Sequence, residues 1–305
     1  MSAVPVIGNT RDRVGECPVW DPAGQALFWV DIEGRFIRRW DAATDVVQSW
    51  SLPERVGCIA LTARKSGHGD LPLIVAAMET GVYSVELLAA PEVRVSLLAP
   101  ITHLAEGMRF NDGRCDAQGR FWISTMVMDM SKASPLGALY CLDENGLSAA
   151  QVQDIITPNG LAFSPDGKTA YLSDSHPSVQ RIWAFEFDAE QGKLANPREF
   201  VDMTNLPGRP DGAAVDSEGH YWICGNDAGK VHRFDPQGRL VKSLEVPVAK
   251  PSMCAFGGPN LDVLYVASIL PGTVSAEAPG LNGAVFALDP GVCGLPEPVF
   301  SRFPS

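Results

Sequence analysis

The sequence predicts an all-β fold: one six-bladed β-propeller domain over residues 1–305, with four antiparallel strands per blade. Three observations carry that expectation: a strand–turn–strand unit that recurs, the spacing of its copies, and the near absence of helical periodicity. The clearest copy is GRPDGAAVDSEGHYWICGNDAGKVHRFDPQG, residues 208–238. A small apolar run, Ala213-Ala214-Val215, follows Asp211-Gly212. A polar turn leads into an aromatic run, and a second turn into an alternating one. Short β-prone runs between clusters of Gly, Asp, Asn and Pro read as an antiparallel meander.

Taken in order, the first unit is ECPVWDPAGQALFWVDIEGRFIRRWD and the second CIALTARKSGHGDLPLIVAAMETGVYSVEL. The third is NDGRCDAQGRFWISTMVMD with GALYCLDENG behind it, and the fourth PNGLAFSPDGKTAYLSDS with RIWAFEFD. The fifth is the copy above, and the sixth PSMCAFGGPNLDVLYVAS with GAVFALDPG. Starts at 16, 58, 111, 159, 211 and 252 give periods in the range of four-stranded propeller blades. No segment keeps apolar residues at helical spacing for three turns. A pair of β-sandwiches, the rival architecture, needs no six equivalent units.

Composition narrows the partners. The chain is 46% hydrophobic and 20% charged, as soluble globular proteins are. A net charge of −12 argues against nucleic acid, whose phosphates need a basic footprint. The longest apolar run, residues 71–78, contains Pro72 and is too short to span a bilayer, so no membrane partner is expected. The N-terminus has no basic start followed by an apolar stretch, and a cytoplasmic location is the expectation. Seven cysteines without C-x-x-C spacing read as free thiols in a reducing compartment.

In a propeller, the first strand of each blade lines the central channel. Residues at equivalent blade starts therefore converge, although they lie ~50 positions apart in sequence. Here those residues are Glu16, Cys58, Asn111, Asn159, Asp211 and Ser252 or its neighbour Cys254. Two carboxylates on one axis repel unless a cation lies between them. Glu16, Asn159 and Asp211 offer hard oxygen ligands, suited to Ca²⁺, Mg²⁺ or Mn²⁺, with Fe²⁺ and Zn²⁺ not excluded by ligand type. Asn159-Gly160 and Asp211-Gly212 are each, alone, ordinary turn dipeptides. Their shared phase, with a glutamate at the same phase in the first unit, favours ligation.

The motifs GECPVWDP (15–22), RFNDGRCDAQGRFWISTM (109–126), PNGLAFSPDGKTAYLSDS (158–175), PDGAAVDSEGHYWI (210–223), FGGPNLDVLYVAS (256–268) and GVCGLPEPVF (291–300) run through nearly the whole chain. In these the sequence resembles the SMP-30/gluconolactonase/luciferin-regenerating-enzyme family, which includes regucalcin and bacterial sugar lactonases. The resemblance implies a six-bladed propeller with one divalent metal held by Glu16, Asn159 and Asp211, and with Asp211 also as general base. It implies substrate-binding roles for Arg109 and Asn111, and more loosely for Asp129. Ser252 and Ala267 stand where many relatives carry threonine, which bears on substrate choice rather than on the fold.

The function so implied is metal-dependent hydrolysis of a small-molecule sugar lactone to its aldonic acid. Polarising the carbonyl suits a metal, and taking a proton from water suits Asp211. The alternatives are a non-catalytic calcium-binding propeller and a hydrolase of other esters or phosphoesters at the same metal. No G-x-S-x-G elbow points to a serine esterase. His68, His103, His176, His220 and His232 are scattered without metal spacing, although His176 follows a loop that faces the expected mouth. Cys17, Cys58 and Cys254 read as buried apolar residues, and Phe28-Trp29, Phe121-Trp122 and Tyr221-Trp222 as packing between blades. Loops 66–71, 129–137 and 271–283 interrupt the repeat, and at least one is expected to cover the mouth.

Overall fold

A computed structural model describes residues 4–66 and 70–304. Six antiparallel sheets follow one another along the chain, as the repeat predicts, and make a six-bladed propeller. Their innermost strands are Gly15–Asp21, Val56–Lys65, Met108–Cys115, Pro158–Phe163, Arg209–Val215 and Pro251–Gly257. Helix is confined, among the described residues, to one 3₁₀ turn at Met130–Lys132.

The blades pack face to face through apolar cores. Phe28, Val30 and Trp50 of blade one meet Ile74 and Ala76 of blade two, while Trp122 and Leu139 of blade three meet Leu172 and Phe185 of blade four. The paired aromatics of the repeat supply much of this packing: Phe28, Trp29, Phe121, Trp122, Tyr221 and Trp222 are fully buried. Burying side chains of this size contributes about 1.5–3 kcal/mol each, which is what holds neighbouring blades together. Polar ends are satisfied too. The Trp122 and Trp222 indoles donate to Asp116 Oδ2 at 2.9 Å and Asp216 Oδ2 at 2.8 Å, each aspartate sitting in the turn that leaves the innermost strand.

Blade three departs from a strict four-strand repeat, since Gly146–Leu147 and Val152–Ile155 both pair with Gly137–Asp143, and so do the ring closure and the C-terminal segment. The sixth sheet takes only three strands from the sixth repeat; its outermost strand is Val6–Ile7, in register Val6↔Phe286 and Ile7↔Val285. The reason lies in GVCGLPEPVF, whose two prolines lack the N–H that a ladder requires. That segment becomes a strap instead. Ser217 N donates to Cys293 O and Gly294 N to Leu261 O at one side, and Phe300 N to Leu61 O and Ser301 N to Gly119 O at the other. These anchors belong to blades five and six and to the opposite blades two and three. The strap therefore crosses the propeller axis at the end where the innermost strands finish. Midway, Glu297 Oε1 meets Arg114 Nε from inside the channel at 3.2 Å.

Candidate metal centre

All six innermost strands carry a β-bulge near their start. Register shifts fall at Glu16/Val19, Val56/Cys58, Phe110/Gly113, Asn159/Ala162, Pro210/Ala213 and Pro251/Cys254. A bulge adds a residue to one strand and re-aims its side chains. The shared phase read from sequence is thus the phase of the bulge, and it delivers Glu16, Asn111, Asn159 and Asp211 to one end of the channel.

The side chains form two hydrogen-bonded groups. Arg109 Nη1 donates to Asn111 Oδ1 at 2.7 Å, and Asn111 Nδ2 donates across the blade boundary to Asn159 Oδ1 at 3.0 Å and Pro158 O at 2.9 Å. On the next blade Asn226 Nδ2 donates to Asp211 Oδ2 at 2.5 Å, and Arg209 Nη2 to Asn226 Oδ1 at 3.4 Å. Asn111, Asn159 and Asp211 are buried and Glu16 is half-buried. Desolvation, then the charges of Asp211 and Asp112, raise the Glu16 carboxyl well above its usual range. Desolvation pushes Asp211 up to about 7 against the lowering effects of Arg209 and Asn226.

Two desolvated acids that resist ionisation beside an amide oxygen fit a divalent cation. Among the described residues no three His, Cys, Asp or Glu cluster as a metal site. The buried Arg109 Nε and Asp112 Oδ1 lack hydrogen-bond partners among the described residues, polar capacity that a ligand or its water would use.

Asp129 lies apart from this set. It is exposed, and its Oδ1 accepts from Ser131 N at 3.2 Å and Ser131 Oγ at 2.6 Å, capping the 3₁₀ turn. His176 joins that loop to blade four, with Nε2 3.2 Å from Met130 O and Nδ1 2.7 Å from Ser178 Oγ. Loops 129–137 and 271–283 connect second to third strands, which puts both on the face with the bulges. Loop 66–71 joins first to second strand and so belongs to the opposite face; His68 lies outside the described residues. Burial pushes the Cys17 and Cys58 thiols up, which suits packing and not nucleophilic attack.

Asn226 and Asp112 were not singled out in the sequence. A signal for Asn226 existed. At the end of the second strand, opposite the start of the first, blades one and four carry Asp31 and Asp174, which hold backbone N–H groups of Val14 and Thr157. Blade five has an amide there, and it turns to Asp211.

Gly160 gives a direct test of how tightly this end is built. Its φ is +66°, and a Cβ would lie 2.5 Å from Tyr221 Oη and 2.9 Å from Ser173 Oγ. Tyr221 Oη already donates to Gly160 O at 2.6 Å. Gly160→Ala is expected to cost about 1–3 kcal/mol in chemical denaturation and to shift Asn159. Unchanged stability would show that the bulge is loose.

A six-bladed propeller with an oxygen-lined channel mouth is the class that the fold and these side chains define. The family model described as the SMP-30/gluconolactonase/LRE-like region matches residues 14–270. The chain belongs to that family. It is 37% identical over 290 residues to a 6-deoxy-6-sulfogluconolactonase of Pseudomonas putida, covering 94% of this chain and 95% of that one. It is 33% identical over 305 residues to regucalcin of Gallus gallus, covering 97% and 98%. Among solved structures, a calcium-binding regucalcin of Agrobacterium tumefaciens superposes with a TM-score of 0.87 at 28% identity, covering 98% of this chain and 97% of that one.

Proposed function

We propose that this protein hydrolyses a sugar lactone to the corresponding aldonic acid, with one divalent cation held by Glu16, Asn159 and Asp211. The observation that carries the reading is the pair of desolvated carboxylates, Glu16 and Asp211, at the same bulge as the Asn159 amide. The lactonase relative supports the chemistry. When bound, the cation supplies polarisation of the lactone carbonyl.

The chain's own residues do the rest. Asn226 holds one oxygen of Asp211, which leaves the other for the cation or for the proton of an attacking water. Arg109 aims a guanidinium with an unpaired Nε at the substrate's hydroxyls or developing oxyanion. Asn111 is engaged at both ends, so its first task is to orient Asn159; a substrate hydroxyl would share its Oδ1 with Arg109. A calcium-binding role without turnover is the second reading, favoured by the all-oxygen donor set and by the calcium-binding structural relative.

Proton release from a panel of aldonolactones, corrected for spontaneous hydrolysis, separates the two. Chelator-stripped protein is expected to be inactive, with rates restored by one of Ca²⁺, Mg²⁺, Mn²⁺, Zn²⁺ or anaerobic Fe²⁺. Full activity after stripping would end the metal assignment, and no rate with any metal would leave the binding reading.

A further inference from the structure

The face that carries the bulges opens into a cleft of ≈ 690 Å³ whose walls differ in character. One wall is the largely apolar run 269–276; the other presents Arg13, Arg209 and Lys250, with Glu33 as the one acid lining it among the described residues. Glu33 is held by Arg55, whose Nε lies 2.9 Å from its Oε1. Arg209 and Lys250 share the half-exposed Asp227, with Arg209 Nε 2.8 Å from its Oδ2. Arg13 differs from both: it is exposed, and its side chain makes no hydrogen bond or ion pair among the described residues. Its backbone, by contrast, is fixed. Arg13 N donates to Asp31 Oδ2 at 3.1 Å, and Val14 bridges Ile269 across the cleft floor.

Cations are scarce in this chain, 24 Lys and Arg against 36 Asp and Glu, and three of them here against Asp227 and Glu33 leave this rim slightly positive. Arg13 lies at a bend three residues before Glu16, no more than about 10 Å of backbone away. From that reach, and resting on the lactonase reading above, we infer that the cleft is a subsite for an anionic group. It selects lactones that carry a sulfonate or phosphate at the end of the sugar away from the ring carbonyl. Arg13 is the residue that decides the preference. Arg209 contributes charge there while its link through Asn226 reaches Asp211.

The test compares glucono-1,5-lactone with its 6-phosphate and 6-sulfonate analogues, in wild type, Arg13→Gln and Arg13→Glu. The wild type is expected to show a higher kcat/KM on the anionic lactones, falling as salt rises from 0.05 to 0.5 M and the screening length shortens from about 14 Å to about 4 Å. Arg13→Gln should cut the anionic-to-neutral ratio about three- to tenfold, and Arg13→Glu more, as loss or reversal of a rim charge does. A parallel titration of 6-phosphogluconate against gluconate reads the same ratio as binding, without turnover. If neutral lactone is hydrolysed but neither ratio responds to Arg13, the subsite is wrong and the lactonase stands. If no lactone is hydrolysed, the lactonase reading fails and the binding ratio alone decides the subsite. Equal response of both anions to Arg13 identifies charge as what is recognised; response of one alone narrows the substrate to that group.

Discussion

Asp211→Asn is expected to lower kcat on an aldonolactone by about 10²–10⁴-fold, the range for loss of a positioned acid–base group. Asparagine keeps the shape and an oxygen but cannot take a proton, and it weakens a cation site by one charge. The fold should survive, because the carboxyl is desolvated and its ionised form is disfavoured in the metal-free protein. The sign of the pH effect follows from its displacement from 3.8 to about 7. Between those values the folded state binds more protons than the unfolded one, so stripped wild type loses stability as pH rises through the window. The variant keeps Glu16 but has no residue-211 carboxyl to titrate there. Stripped Asp211→Asn should therefore be at least as stable as stripped wild type at pH 7, with the difference closing toward pH 4. Thermal melts at both pH values and initial rates on metal-loaded protein check the two halves; kcat within threefold of wild type would sink the assignment.

The largest stability effect is expected far from the metal, at Asp216. This fully buried carboxylate accepts at Oδ1 from Glu218 N at 3.0 Å and His220 N at 2.9 Å, and at Oδ2 from the Trp222 indole at 2.8 Å and Arg233 Nε at 2.8 Å. Asp216→Ala strips the turn of its centre and leaves a buried guanidinium with only Glu218, itself at the surface, as counter-charge. A loss of about 3–5 kcal/mol is expected in denaturant unfolding, as when one partner of a buried pair is removed. Adding Arg233→Met should restore part of it, since the cost lies in the stranded charge. A loss under about 1 kcal/mol, the scale of one ordinary hydrogen bond, would mean that the network is not what holds this turn.

The fold was legible because the repeat is written in turns: Asp-Gly, Asn-Gly and Asp-Pro dipeptides at blade period, with aromatic pairs between them. Glu16, Asn159 and Asp211 were legible for the same reason, since their phase is that of a bulge common to all six blades. The closing strand was not, because Val6–Ile7 is two residues long and its partner lies at the other end of the chain. Asn226 was hidden as the opening of a turn, and only its alignment with Asp31 and Asp174 separates it from one. Asp129 shows the limit of a loose match: its loop is on the expected face, yet its carboxylate is taken up by Ser131.

The strap across the axis has a consequence for traffic. With Glu297 against Arg114 and Phe300 buried against blade two, the strap covers the end of the channel away from Glu16, Asn159 and Asp211, which leaves the face with the bulges as the way in. Whatever enters must turn round and leave past the same side chains, so occupant and newcomer queue for one threshold. On the proposed lactonase reading, an aldonic acid formed inside would depart past Arg13, Arg209 and Lys250, against their pull.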